Sequence, residues 1–326
     1  MVINKQRGFV LVLTLWVLAV ITIAATYFAE RVSHSIELAR QKQETTEELI
    51  AFANTRADIL FRLETTEASL YGWGEQDAIE LDNRPYRGSG DDIIRLQDNR
   101  GLLNVNFPQQ DMISRLLGQL GVPVEKRSAM IDTLLDYTDS DDLKRLNGAE
   151  APEYTALGLP PPPNDWMTSP YQLNNIIGWR DQPEVLKKLL QFVTTSRVTG
   201  FNPNTAPLEV LASLPGASLE TAAALIKARN EKPFYTVGQL ASFTTGALDP
   251  GYFLFYPGDS IRITQQSNKL PWAVQYSVTI TPRSQDAPWH IDYYVKIPVT
   301  YPVENVDKIQ KLPARFAASP GVDETP

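Results

Sequence analysis

The hydrophobic pattern begins with a block: residues 9–29 carry no charge, and they follow a short basic leader. A helix over them, rising about 1.5 Å per residue, spans the roughly 30 Å hydrocarbon core of a bilayer. Neither Gly nor Pro occurs between Gly8 and Gly72, so the backbone permits one helix over 9–70, on the order of 90 Å long. Beyond Glu30 the pattern turns polar. Apolar side chains then return at Leu49, Ile50, Ala53, Ala57, Leu60 and Phe61, near the i, i+3, i+4, i+7 spacing of one helix face. The pattern predicts a membrane span at 9–29, continued by a helix that packs a stripe on a globular domain.

Past a loop with Gly72, Gly74, Pro85, Gly88 and Gly90, the period falls to two. Residues 92–98 and 102–107 read as a β-hairpin, because Leu103, Val105 and Phe107 alternate with Asn104 and Asn106 and 98–101 carry turn chemistry. Helical spacing broken by Pro and Gly then runs through 110–120, 124–137, 173–177, 183–193, 208–214, 219–230 and 237–243, with a stiff Pro160–Pro163 linker. Strands return at 260–264, 273–281 and 289–299. Val274, Tyr276, Val278 and Ile280 share one face with Trp289, Ile291, Tyr293, Val295 and Ile297, predicting an antiparallel hairpin with one solvated side. The domain plan is a leader at 1–8, a helix at 9–70, a β domain at 71–107 and 249–302, an inserted helical domain at 108–248 and a flexible tail at 303–326. The class is α+β.

Composition changes little in this picture and excludes much. The 326 residues, 43% hydrophobic, suffice for about two cores. Without cysteine there is neither a disulfide framework nor thiol chemistry. A net charge of −8 disfavours nonspecific binding to nucleic acid or to an anionic membrane surface. Lys5 and Arg7 before the span, against Glu30 behind it, place the N-terminus in the cytoplasm and the bulk outside. The two histidines, His34 and His290, leave Ser-His-Asp chemistry hard to build, so the chain is read as no enzyme.

Two motifs remain. An acidic run, Asp136, Asp139, Asp141 and Asp142, precedes Asn147-Gly148-Ala149-Glu150 and Glu153-Tyr154. Such carboxylates are either a solvated helix end or hard oxygen ligands for a cation such as calcium; the spacing is not that of an EF-hand. The other motif, Phe201-Asn202-Pro203-Asn204-Thr205-Ala206 followed by Leu214-Pro215-Gly216 and 222–229, looks like a helix-hairpin-helix unit, with a degenerate earlier copy at 104–106, 120–122 and 129–131. A membrane-anchored DNA receptor is the rival reading of that unit. Against it stand the missing second glycine of the turn, the few nearby cations (Lys227, Arg229, Lys232) and the acidic whole.

Arg7-Gly8-Phe9-Val10-Leu11 resembles the processing site of prepilins and pseudopilins, which implies cleavage after Gly8 and methylation of Phe9 by a prepilin peptidase. Most relatives hold Glu at the fifth mature position, where it meets the terminal amine of a neighbour; here that position is Leu13. An intramembrane carboxylate is kept where it has a partner. Its absence, the D-x-D…GAE…Y pattern and the hairpin unit together resemble the K family of type II secretion minor pseudopilins. The resemblance implies a pilin-like fold and structural calcium held at Asp139, Asp141 and Glu150 with Asp142 and Glu153. It also implies assembly with minor pseudopilins I, J and H and with an inner-membrane secretion platform. As the family does, the chain would cap the pseudopilus, its body in the periplasm, and drive export of folded proteins.

Overall fold

A computed structural model describes residues 7–74, 78–88, 92–197, 199–299 and 308–313, with side chains from residue 10 onward. Helix α1 (Arg7–Thr65) runs 59 residues without a break. Its first half, Val10, Leu13, Trp16 and Ile23 among it, is exposed, and it is long and apolar enough to cross a membrane. In its second half the buried stripe is Glu48, Phe52, Thr55, Ile59 and Leu63. The predicted stripe is therefore corrected: of its members only Leu60 is buried, while Leu49, Ile50 and Phe61 are exposed. The helix carries two apolar faces there, and spacing alone does not say which one meets the sheet.

A two-strand turn, β1 (Ala68–Ser69) and β2 (Gly72–Trp73), closes the end of α1; Trp73 Nε1 donates to the carbonyls of Leu63 and Thr66, both at 3.0 Å. The chain then enters β3 (Asp82–Arg87) and β4 (Ile93–Asp98), an antiparallel pair. The expected hairpin between 92–98 and 102–107 does not form. Instead β5 (Leu103–Asn104) leaves for the helical domain and pairs in parallel with β6 (Val193–Thr194), and Leu103 and Val105 are buried in that domain's core.

The helical domain contains α2 (Gln110–Gln119), α3 (Val124–Thr138), α4 (Ala151–Ala156), α5 (Pro183–Leu189), α6 (Leu208–Ala212), α7 (Leu219–Glu231) and α8 (Val237–Leu240) around Leu116, Leu134, Trp179, Phe201 and Leu225. The sequence pattern missed α4, whose six residues hold one buried side chain, Tyr154. Strands β7 (Ser260–Gln266), β8 (Trp272–Ile280) and β9 (Trp289–Pro298) complete a five-stranded antiparallel sheet in the order β3-β4-β7-β8-β9.

The two faces of this sheet differ in chemistry. Leu96, Ile261, Ile263, Tyr276 and Val278 form an apolar face packed on Phe52, Ile59 and Leu63 of α1. Each such buried side chain contributes about 1.5–3 kcal/mol. On β7 and β8 the alternate residues form a polar face buried against the helical domain, so the solvated side expected for β8 is corrected, whereas on β9 His290, Tyr294 and Lys296 are exposed. On the buried polar face Arg262, 4% exposed, donates to the carbonyls of Leu190 (3.0 Å), Gln191 (2.5 Å) and Val193 (3.3 Å), which caps the end of α5. Asn99 bridges Ser260 and Ser277 at 2.7 and 3.0 Å.

A bulge in β9 corrects the single face expected for that strand. Ser277 pairs with Tyr293 and Val278 with Ile291, leaving Asp292 as the extra residue. Trp289 and Ile291 pack on the α1 side, whereas Tyr293 turns to Tyr171 of the helical domain at a ring distance of 6.3 Å. The tail also departs from expectation. Arg87 N–H donates to Gln310 and Leu312 N–H to Arg87, both at 2.9 Å, so residues 308–313 lie against β3 with Leu312 on the apolar core. The rest of 300–326 lies outside the described residues, as does the leader up to residue 6.

Candidate functional site

The acidic run folds into a compact cluster at the end of α3. Asp136 faces inward one turn before the helix stops, is fully buried, and accepts from Arg145 Nη1 at 2.6 Å and from the Arg145 N–H at 3.2 Å. Asp139, the C-cap residue, accepts from the same Nη1 at 2.5 Å through Oδ2. Gly148 closes the loop over Asp136; a Cβ there would fall 1.7 Å from Asp136 Oδ2, so only glycine permits the approach.

Beneath this pair lies Glu150, 3% exposed, and neither of its oxygens has a hydrogen-bond donor; Asp139 Oδ1 has none either. Burial first, then the charges of Asp136, Asp139, Asp142 and Asp141, push the Glu150 carboxyl up to about 7. The remaining predicted ligands are arranged differently. Asp141 accepts from the Leu143 N–H at 2.9 Å, and Asp142 from Asn164 Nδ2 at 2.8 Å, both in exposed positions. Glu153 turns away: it accepts from Lys144 Nζ at 2.7 Å and from the Glu150 N–H at 3.0 Å, and these two bonds hold its carboxyl below the usual range.

Among the described residues no three carboxylate or imidazole groups converge at metal-ligand spacing, because Arg145 occupies the space between Asp136 and Asp139. The orphaned oxygens of Glu150 and Asp139 fit a hard cation; Glu153, committed to Lys144 and the start of α4, does not. Sequence reasoning placed Asp136 in the motif but not in the ligand set. Its burial at the inner face of α3 is the signal that periodicity could have given.

The hairpin motif is duplicated in geometry. In the first copy Asn104 Oδ1 accepts from the Asn106 N–H at 2.9 Å, and Asn106 Nδ2 donates to two carbonyls, of Met167 and Thr195, while its Oδ1 accepts from the Met167 N–H. In the second, Asn202 Oδ1 accepts from the Asn204 N–H at 3.0 Å, and Asn204 Nδ2 donates to Phe234 and Phe255, while its Oδ1 accepts from the Phe234 N–H. Each copy leads to two helices joined at a glycine of positive φ, Gly121 (91°) and Gly216 (73°). The second turn is covered by the chain itself, since a Cβ on Gly216 would meet Gly246 N at 2.3 Å. Arg229, 8% exposed, donates to the carbonyls of Pro203 and Ala206 at 2.9 and 2.6 Å. These amides and this cation hold protein together.

His290 Nε2 lies 2.9 Å from Asp292 Oδ1, and the same carboxylate accepts from Ser277 and Thr279. The carboxylate sits in the middle, so neither hydroxyl is set against the imidazole as an activated nucleophile would be.

Comparison with known proteins supplies the context. Residues 92–197 match a family model described as type II secretion system (T2SS), protein K, and residues 201–249 match a second model of the same description. No curated protein matches the chain. Among solved structures, a chain of the GspK-GspI-GspJ complex from the enterotoxigenic Escherichia coli type 2 secretion system superposes with a TM-score of 0.56 at 14% identity, covering 79% of this chain and 98% of that one. That likeness covers more of the chain than the two matched segments together. Residues 92–197 and 201–249 thus match two type II secretion system protein K domains in tandem, on a fold shared with a chain of that complex and behind one helix, among the described residues, that is long and apolar enough to cross a membrane.

Proposed function

We propose that this chain is a minor pseudopilin that caps the tip of the type II secretion pseudopilus and initiates its assembly. The observation that carries the reading is the position of the helical domain. It covers the sheet face opposite α1, through Arg262 and Tyr171, and so widens the subunit where another subunit would have to stack above it. Leu13 supports the same end position, because it leaves the span without the carboxylate that would meet a preceding subunit's amine.

In this reading a prepilin peptidase cuts after Gly8 and methylates Phe9, leaving a single inner-membrane pass with its N-terminus cytoplasmic and its body periplasmic. Minor pseudopilins I and J, which share a complex with a protein of this fold, are the immediate partners, with H and the inner-membrane secretion platform completing the assembly that drives export of folded proteins across the outer membrane. Assembly would use the apolar faces of 9–29 and the exposed Leu49, Ile50 and Ala53 of α1. The acidic cluster would hold one structural calcium ion through Asp139 and Glu150, with Asp141 and Asp142 adding charge and Arg145 giving way. Bound there, the ion would supply charge neutralisation and hold the 139–150 loop folded.

The chain has no cysteine, so a single one introduced on the exposed face of the helical domain gives a unique label. Gold attached to it should mark one end of isolated pseudopili. Gold distributed along their length would refute the tip position.

A further inference from the structure

A groove of about 620 Å³ opens between α3, α4 and residues 177–182, and it shares no residue with α1 or the sheet. Its floor is apolar: Ala129, Met130, Ala149, Ala156, Leu157 and Ile177. Leu157 of the lining is 63% accessible, and two residues next to the lining in sequence, Val124 and Leu146, are 72% and 93% accessible. Leu146 immediately precedes Asn147 of the wall, and Val124 precedes Glu125 of the rim. Apolar surface concentrated in this way around a concavity marks a binding site more often than scattered exposure does.

The rim is acidic. Glu125, Glu153 and Asp181 line it against one cation, Lys126. Lys144 engages Glu153, but Glu125 and Asp181 have no ion pair among the described residues. Both stand where a cation on an incoming chain could reach them while its apolar neighbours fill the floor. The opposite wall is firm: Asn147 donates from N and Nδ2 to Asp132 at 3.1 Å each, and Gly148 rests on Asp136.

We propose that this groove docks an amphipathic, basic segment of another protein, its leucine- or phenylalanine-type side chains on the Ala129–Ile177 floor and its lysine or arginine at Glu125 and Asp181. The occupant is set by charge: the rim and the chain as a whole, at −8, repel an acidic segment, and a second copy of this chain would bring like charge to like.

The test uses the full-length chain in phosphatidylcholine nanodiscs and a fluorescein-labelled, benzophenone-bearing helical peptide of leucine and lysine, with a twin carrying glutamate for lysine. Empty discs give the background. The lysine peptide should bind by anisotropy and cross-link within 125–182, and the glutamate twin should not bind. Ala156→Trp, at an exposed position that leaves folding intact, should weaken binding by about tenfold or more by filling the floor. The pair Glu125→Lys and Asp181→Lys, also exposed, should reverse the preference between the peptides. Equal binding of the twins, indifference to Ala156→Trp, or cross-links elsewhere would overturn the proposal. Cross-linking of two copies of the chain through the groove would replace it with self-association.

Discussion

Asp98 Oδ2 accepts the side-chain amide of Asn202 at 2.9 Å, a contact between residues 104 positions apart that joins the sheet to the second hairpin unit. The same carboxylate, fully buried, accepts from Thr205 Oγ1 (2.9 Å) and from the N–H groups of Arg100 and Gly258 (3.0 Å each). This is where the chain leaves the sheet for the helical domain. Four donors lose their acceptor in Asp98→Ala, and each buried group left unpaired costs roughly 1–3 kcal/mol. We expect a loss of about 3 kcal/mol or more in urea unfolding, with Asp98→Asn milder. A loss under about 1 kcal/mol would mean that water replaces the carboxylate.

Glu48 and Lys269 tie α1 to the β7–β8 turn at 2.8 Å. Burial raises the Glu48 carboxyl, but hydrogen bonds from Lys269 and Ser267 and the Lys269 charge outweigh it and hold the group below 4.5. A depressed carboxyl contributes stability above its unfolded pKa and loses it as pH falls through the folded one. Lys269→Met should therefore cost about 1–2 kcal/mol at neutral pH, moderated because Lys269 is half exposed, and should flatten the acid limb below pH 4.5. Melting curves from pH 3 to 8, on the order of one unit apart, would show both effects.

At Glu150 the sign is opposite. Its carboxyl is raised from 4.5 to about 7, so in chelator the folded protein should lose stability as pH rises through that interval. Glu150→Gln should remove this slope. Added calcium should abolish the slope in the parent protein, raise its Tm at pH 8 and do nothing for the variant. A parent Tm indifferent to calcium would leave Arg145 as the only cation the cluster uses.

Processing is tested at residue 8. Protein purified from native membranes should begin at Phe9 and carry one extra methyl group by intact mass. Gly8→Leu should retain Met1 and abolish secretion. A mature chain from that variant would sink the prepilin route.

Much of this architecture was legible in the sequence because strong periodicity was present. The span, α2, α3, α7 and the three C-terminal strands all carry it, and the two Asn-x-Asn turns announce the repeat. What escaped depended on tertiary partners. The α1 stripe was misassigned because Glu48 and Thr55, polar in sequence, are buried, with Lys269 meeting the carboxylate. The false hairpin at 92–107 followed from reading Asp98 as turn chemistry, whereas its carboxylate collects donors from residues 202, 205 and 258. Face-switching by one extra residue, Asp292, has no period to betray it. In the acidic cluster the crowded carboxylates were visible, but not that Lys144 would claim Glu153.

The uninterrupted α1 has a mechanical consequence. A helix shortened or kinked at a glycine or proline absorbs displacement at the flexible point; this one offers none from Phe9 to its end at Thr65. Drawing the membrane end outward by one residue's rise, about 1.5 Å, therefore moves the far end, where Phe52, Ile59 and Leu63 are seated on the sheet, by nearly the same amount. In the proposed assembly the anchor would act as a stiff pushrod, passing a force on its membrane end to the head with little loss.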